Sequence, residues 1–193
     1  MGNENETRQR IISATIELLN ELPDVEKITV RLVAQRAEVG VGLINYHFHT
    51  RDNLISLAIG SIMAEMATAM GSAGTNGDDS GVDRIRSMLK SLYTYAEQHE
   101  KFIQFLLTHG IINGDLDAAL YLVPGLKEVF PQEKDEIQLR IIALQIILPI
   151  QVASINPSAF RHFTGIDLHD VKQREAYIDT LIDNVVAVQK PKA

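Results

Sequence analysis

The chain has 193 residues, 46% of them apolar, a mean hydropathy near zero and a net charge of −7, the profile of a globular protein with enough apolar material for a real core. It contains no cysteine, which excludes a disulfide framework, a thiolate zinc site and a cysteine nucleophile. Residues 1–54 hold six Lys/Arg against eight Asp/Glu and residues 55–193 twelve against seventeen, so neither part has the basic footprint of a nucleic-acid binder and any positive surface must be assembled by folding.

The opening decapeptide MGNENETRQR is polar; no secretory signal is read there and a cytoplasmic location is expected. Helical spacing then dominates. Ile11, Ala14, Leu18 and Leu22 mark one face of a first helix that Pro23-Asp24 ends. Thr29 is a natural N-cap for a short second helix with Val33, Ala34 and Ala37 on its inner face. A third helix over about 41–47 is too short to stand alone in water; Val39, Ile44 and Phe48 are expected to pin it to the second. Thr50 caps a longer helix carrying Leu54, Ile55, Ala58, Ile62 and Met66.

At 71–81 the sequence GSAGTNGDDSG reads as a flexible connection, and Ser80-Gly81-Val82-Asp83 resembles a capping box. A helix to about Glu97 follows, then one beginning at EKFIQFLLTHGII, then short pieces at 116–130 broken near Pro124 and Pro131. The segment 133–154 is apolar nearly all round in its second half, so it should be covered on more than one side. Its run IIALQIILPIQVA is shorter than a membrane span and carries two glutamines and a proline, so a packed helix is expected and no membrane partner. Pro149 should kink it and Asn156-Pro157 should end it. A last helix over about 169–188 bears the stripe Ile178, Leu181, Ile182, Val185 and Val186.

The architecture is therefore all-α: three short helices ahead of a larger helical body. Two short helices joined by Glu38-Val39-Gly40, the second apolar inside and polar outside, meet the needs of a helix-turn-helix. In ITVRLVAQRAEVGVGLINYHFHTRDNLI the chain resembles the DNA-binding head of the TetR family of transcriptional regulators, densely over residues 8–57 and in architecture beyond. The resemblance implies a DNA-binding domain at 1–50 and an effector-binding and dimerisation domain at 51–193.

Within the head, Gly40, Val41, Gly42 and Leu43 would allow close approach to base edges, with Val41 and Leu43 suited to thymine methyls and Asn45 to adenine. Tyr46 and His47 resemble the family's phosphate-contacting pair and Phe48 its core anchor. Thr29, Arg31 and the helix start beside Arg51 complete the expected DNA contacts. Two departures stand out: Glu38 where glycine is usual in the turn, and Gly40 where Ser or Thr commonly caps. His47 and His49 fall on different helical faces and imply no metal, and Gly40-Val41-Gly42 follows no strand and implies no dinucleotide or other cofactor.

For the body, the resemblance implies a homodimer through the last two long helices, with Ile146, Ile150, Ile178, Leu181, Ile182, Val185 and Val186 as interface candidates. It also implies a small, mainly apolar effector, for which Met66, Met88, Tyr93, Phe102, Phe105, His109, Tyr121 and Gln145 are candidate lining groups. The expected function is a repressor that binds a palindromic operator in double-stranded DNA and is released by its effector. The acidic head and Glu38 leave a second reading open, a helical ligand-binding or interaction protein whose head no longer binds DNA. No nucleophile-base spacing, metal quartet or phosphate loop points to an enzyme.

Overall fold

A computed structural model describes residues 2–22, 24–73 and 80–187. Ten α-helices and two short 3-10 stretches make up the described chain: α1 Gly2–Glu21, α2 Val30–Arg36, α3 Val41–Phe48, α4 Arg51–Ala73, α5 Gly81–Gln98, α6 Glu100–Asn113, α7 Val123–Val129, α8 Glu136–Ile155, α9 Pro157–Thr164 and α10 Val171–Ala187. The 3-10 stretches are Val25–Lys27 and Asp117–Leu122. The all-α class is as expected. The helix at α4 runs through Ala73, into the stretch read as a connection, and the rest of that connection, 74–79, lies outside the described residues.

The chain forms two compact units, residues 1–63 with 99–113, and 64–98 with 114–193. Residues of α4 are shared between the two units, and α6 groups with the N-terminal helices. In the first unit α1 packs on α2 and α2 on α3. Ile11, Leu18 and Leu19 of α1, Val33 and Ala34 of α2, and Ile44 and Phe48 of α3 are buried. Thr15 is buried too, its hydroxyl donating to the Ile11 carbonyl at 2.8 Å, so the polar group is satisfied within its own helix.

The second unit is built on α5, α7, α8 and α10, whose core includes Ile85, Leu89, Leu126, Leu139, Ile142, Ile146, Ile178 and Ile182. The caps follow the sequence. Ser80 Oγ accepts from Asp83 N at 3.2 Å at the head of α5, and Asp135 and Gln138 form a reciprocal capping box at the head of α8. α8 continues through Pro149 and ends at Ile155, with Asn156-Pro157 stopping it as expected; the same pair also opens a further helix, where Asn156 Oδ1 accepts from Ala159 N at 3.0 Å and Pro157 takes the first helical position. α8 is long and apolar enough to cross a membrane by length and composition, but here Leu139, Ile142, Ala143, Ile146, Ile150 and Ala153 are buried in the unit.

α10 is held by charge as well as by apolar packing. Arg86 reaches Asp179 at 2.8 Å and also pairs with Asp183, and Lys90 reaches Asp179 at 2.8 Å. Arg174, only 2% exposed, donates to Glu97 at 2.8 Å and to the Leu168 carbonyl at 3.1 Å, and lies over the Tyr93 ring at 5.0 Å. All of a buried charge's requirements are thus met locally. Burial, with Tyr93 nearby, pushes the Tyr177 phenol up to about 12.

α5 and α7 approach so closely that glycine is required on both. A Cβ at Gly81 would stand 2.6 Å from the Gly125 carbonyl oxygen, and one at Gly125 would stand 2.8 Å from Ile85 Cγ1. Gly125→Ala should therefore destabilise the fold by about 1–3 kcal/mol through overpacking. Chemical denaturation measures this; an unchanged midpoint would show that the two helices separate at little cost.

Candidate nucleic-acid interface

α3 has eight residues and no side-chain cap at its first turn, since Gly40 occupies the N-cap position. Packing holds it instead. Ile44 and Phe48, one turn apart, are buried, and Val39 just before the helix is half-buried, its N–H donating to the Ala34 carbonyl at 3.0 Å. These anchors fix the rotation of α3 about its axis. Val41, Gly42, Leu43, Asn45 and Tyr46 are consequently exposed, with Leu43 44% and Tyr46 65% accessible, while His47 is half-buried. A Cβ at Gly40 or Gly42 would meet nothing within 4 Å, so neither glycine serves internal packing.

The turn between α2 and α3 forms despite the missing glycine. Glu38 adopts φ 52°, and its N–H donates to the Gln35 carbonyl at 3.3 Å. His49, at the C-cap of α3, is likewise at positive φ, 63°, with its N–H donating to the Asn45 carbonyl. Thr29 caps α2, its Oγ1 accepting from Leu32 N at 3.2 Å, and is exposed.

Charge is divided between two tasks. Arg36 is drawn back onto α1, bidentate to Glu21 at 2.8 and 2.7 Å and in contact with Glu17 at 3.3 Å. The hydrogen bond raises the Arg36 guanidinium and holds the Glu21 carboxyl below its usual range. Arg51 is also spent internally. Its guanidinium donates to the Ile28 carbonyl at 2.6 Å, to the Val25 carbonyl and to Asp52 at 2.8 Å, tying the start of α4 to the 3-10 turn. A 24% exposed side chain with donors on backbone carbonyls acts as an internal clamp at the helix start. Arg31 and Lys27 are exposed and form no ion pair with any described residue.

Two groups that the local pattern did not reveal reach this region from α1. Arg8 lies over the Phe48 ring at 5.5 Å, and Glu4 accepts a hydrogen bond from the Tyr46 hydroxyl at 3.0 Å. The Glu4 bond and charge hold the Tyr46 phenol above its ordinary value. Neither contact has a signature within α3 itself, because it spans about forty residues of sequence.

The body residues divide differently from expectation. Ile146, Ile150, Ile178 and Ile182 are buried in the core of the second unit, and Leu181, Val185 and Val186 are half-buried against that core. They are intramolecular packing, because the inner face of α10 docks on α5 and α8. Of the candidate lining groups, Met88 is buried in the same core, Met66 and Tyr93 are half-buried, and Tyr121 and Gln145 are exposed. Gln145 points away from the α8 core face, so it lines no interior space of its own unit. Phe102, Phe105 and His109 lie half-buried on α6 in the first unit, with the Phe105 and His109 rings stacked at 6.1 Å.

A three-helix head whose second and third helices meet across a tight turn, with the third anchored inward and bare outward, defines a helix-turn-helix protein. No protein-family model matches the chain. It is 26% identical over 89 residues to the HTH-type transcriptional regulator BetI 1 of Chromohalobacter salexigens, a match spanning 46% of this chain and 44% of that protein. Among solved structures it resembles a TetR transcriptional regulator from Rhodococcus sp. RHA1, with a TM-score of 0.67 and 13% identity, covering 96% of this chain and 98% of the other. It also resembles a TetR-like transcriptional regulator from the same organism, with a TM-score of 0.50 and 12% identity over 94% and 96% of the two chains. The chain has the fold of TetR-type transcriptional regulators.

The turn itself carries a measurable cost. Because a left-handed backbone is unfavourable for any residue with a Cβ, Glu38→Gly should stabilise the protein by about 0.5–1 kcal/mol after allowing for glycine's extra unfolded-state entropy. A lower melting midpoint in the variant would mean that the Glu38 side chain contributes more than its backbone strain removes.

Proposed function

We propose that the chain is a DNA-binding transcriptional regulator of the TetR type, a homodimeric repressor in which residues 1–50 read a palindromic operator and residues 51–193 dimerise and bind a small, mainly apolar effector. The observation that carries this reading is the outward face of α3, where Val41, Gly42, Leu43, Asn45 and Tyr46 are exposed while Ile44 and Phe48 are buried. Open space at both glycines leaves room for a groove floor to approach the backbone. Val41 and Leu43 would meet thymine methyls and Asn45 an adenine edge. Tyr46, His47 and Thr29 would contact phosphate, with Arg31 and Lys27 supplying the charge that Arg36 and Arg51 do not. A protein working on DNA in this way belongs in the cytoplasm, and no catalytic role is assigned.

Sequence selection from a random duplex library tests the reading; an enriched palindrome with half-sites about one helical turn, 34–36 Å, apart supports it, whereas no enrichment at any salt from folded protein would favour a head that no longer binds DNA. On the selected operator, Arg31→Ala should weaken specific and random duplexes alike and lower the salt slope by about one per head. Asn45→Ala should instead cost about 1–3 kcal/mol of preference at one base pair. Equal losses from both variants on all sequences would show that Asn45 contacts only backbone.

For the dimer, the face of α8 opposite its core offers Ile137, Ile141 and Val152, which are 71%, 51% and 59% exposed, with Leu148 half-buried among them. A continuous apolar stripe of this kind is what an isologous helix pair covers. The effector would be held by half-buried candidates within one unit, such as Phe102, Phe105 and His109 on α6, and would act only as far as it prefers the state that does not fit the operator. Ile141→Asp combined with Val152→Asp should yield folded monomers in analytical ultracentrifugation at micromolar concentration; an undisturbed dimer would place the interface elsewhere.

A further inference from the structure

The inner face of α1 continues past the core. Ile11, Thr15 and Leu18 are buried, and the same face carries Arg8 and Glu4 at helical spacing toward the N-terminus. These last two side chains therefore fall onto α3, Arg8 over the Phe48 ring and Glu4 on the Tyr46 hydroxyl. An ionised carboxylate only accepts, so Tyr46 is the donor, and a phenol has a single proton to give. That proton is the one a DNA phosphate would need.

We infer that Glu4 is an intramolecular competitor for phosphate at Tyr46, an acidic group on α1 that must be displaced before the head can seat on a DNA backbone. The inference rests on the proposed DNA-facing role of α3. With Glu4 3.0 Å from the hydroxyl, a phosphate oxygen bonded to that hydroxyl would lie within roughly 6 Å of the carboxylate, inside the ~10 Å over which salt screens charge. Both cannot hold Tyr46 at once, and both are negative. The cost falls on every complex, specific or random, because phosphate contacts carry no sequence information. Glu4 accordingly lowers affinity across the board and leaves discrimination between sequences unchanged.

The test is a set of four full-length variants, Glu4→Gln, Glu6→Gln, Tyr46→Phe and Glu4→Gln with Tyr46→Phe, titrated against the selected operator and a random duplex at two salt concentrations. Glu6, exposed on the same turn, controls for loss of one acidic charge. Glu4→Gln should tighten both duplexes by about threefold per head, near the upper range for an exposed ionic contact, and should do so less at high salt. Glu6→Gln should give a smaller gain, and the extra gain from Glu4→Gln should vanish in the Tyr46→Phe background. Equal gains from Glu4→Gln and Glu6→Gln, or none, with Tyr46→Phe still weakening binding, would overturn the competition while leaving the DNA reading intact. The contact is read without DNA by following the Tyr46 ring carbon by NMR through alkaline pH: its titration should fall toward that of an ordinary tyrosine in Glu4→Gln, and an ordinary midpoint in the unaltered protein would refute the contact. If the contact is present but none of the five proteins binds DNA, the DNA reading fails and the competition with it.

Discussion

The arrangement of the head depends on the burial of two side chains one helical turn apart, Ile44 and Phe48. An eight-residue helix has too few internal hydrogen bonds to persist in water and lacks a side-chain cap at its start. What keeps α3 helical is the apolar contact of these residues, and the same contact sets which residues look outward. A rotation of one position would bury Asn45 and expose Ile44, at the cost of an unsatisfied amide and a lost aliphatic contact. The exposed face of α3 is thus a consequence of the core beneath it.

The acidic balance of the head is compatible with the proposed DNA-facing role because of the way charge is allocated. Glu17 and Glu21 are matched with Arg36 on α1 and α2, Asp52 with Arg51, and Asp24 caps the 3-10 turn by accepting from Glu26 N. Each of these carboxylates is engaged within the fold. The price of this arrangement is that two of the six basic residues are withdrawn from any external partner and Arg8 is half-buried over the Phe48 ring, leaving Arg31, Lys27 and Arg10 as exposed charges. A sequence count weighs all charges equally; the folded head does not.

Much of this was legible from residue order alone, and the exceptions have physical causes. Thr29 as a cap, Ile44 and Phe48 as anchors, and the capping serine at 80 follow from local rules of side-chain length and helical period, so they need no tertiary information. Asn156-Pro157 ends α8 as read, but the start of α9 escaped notice because the same dipeptide that cannot continue a helix is well suited to starting one: asparagine caps and proline has no N–H to waste. The clamping role of Arg51 could not be read because its position beside a helix start is equally favourable for a phosphate and for the carbonyls of a preceding turn, and only the folded chain brings Val25 and Ile28 within its reach. The Glu4 contact to Tyr46 joins residues with no shared local pattern, so nothing short of the packed head could reveal it.

The body shows the complementary limit. Periodicity reports how much of a helix is apolar, and α8 is apolar on nearly every side, but it does not say which half faces inward. In the folded unit Leu139, Ile142, Ala143, Ile146, Ile150 and Ala153 take the inward half, and the residues of α10 that match them, Ile178 and Ile182, are consumed in the same core. The opposite half, from Ile137 to Val152, meets no comparable surface within its unit. Ile178 and Ile182 are thus occupied within the unit, while the outer half of α8 keeps a second apolar face, and it is on that face that the proposed dimer rests.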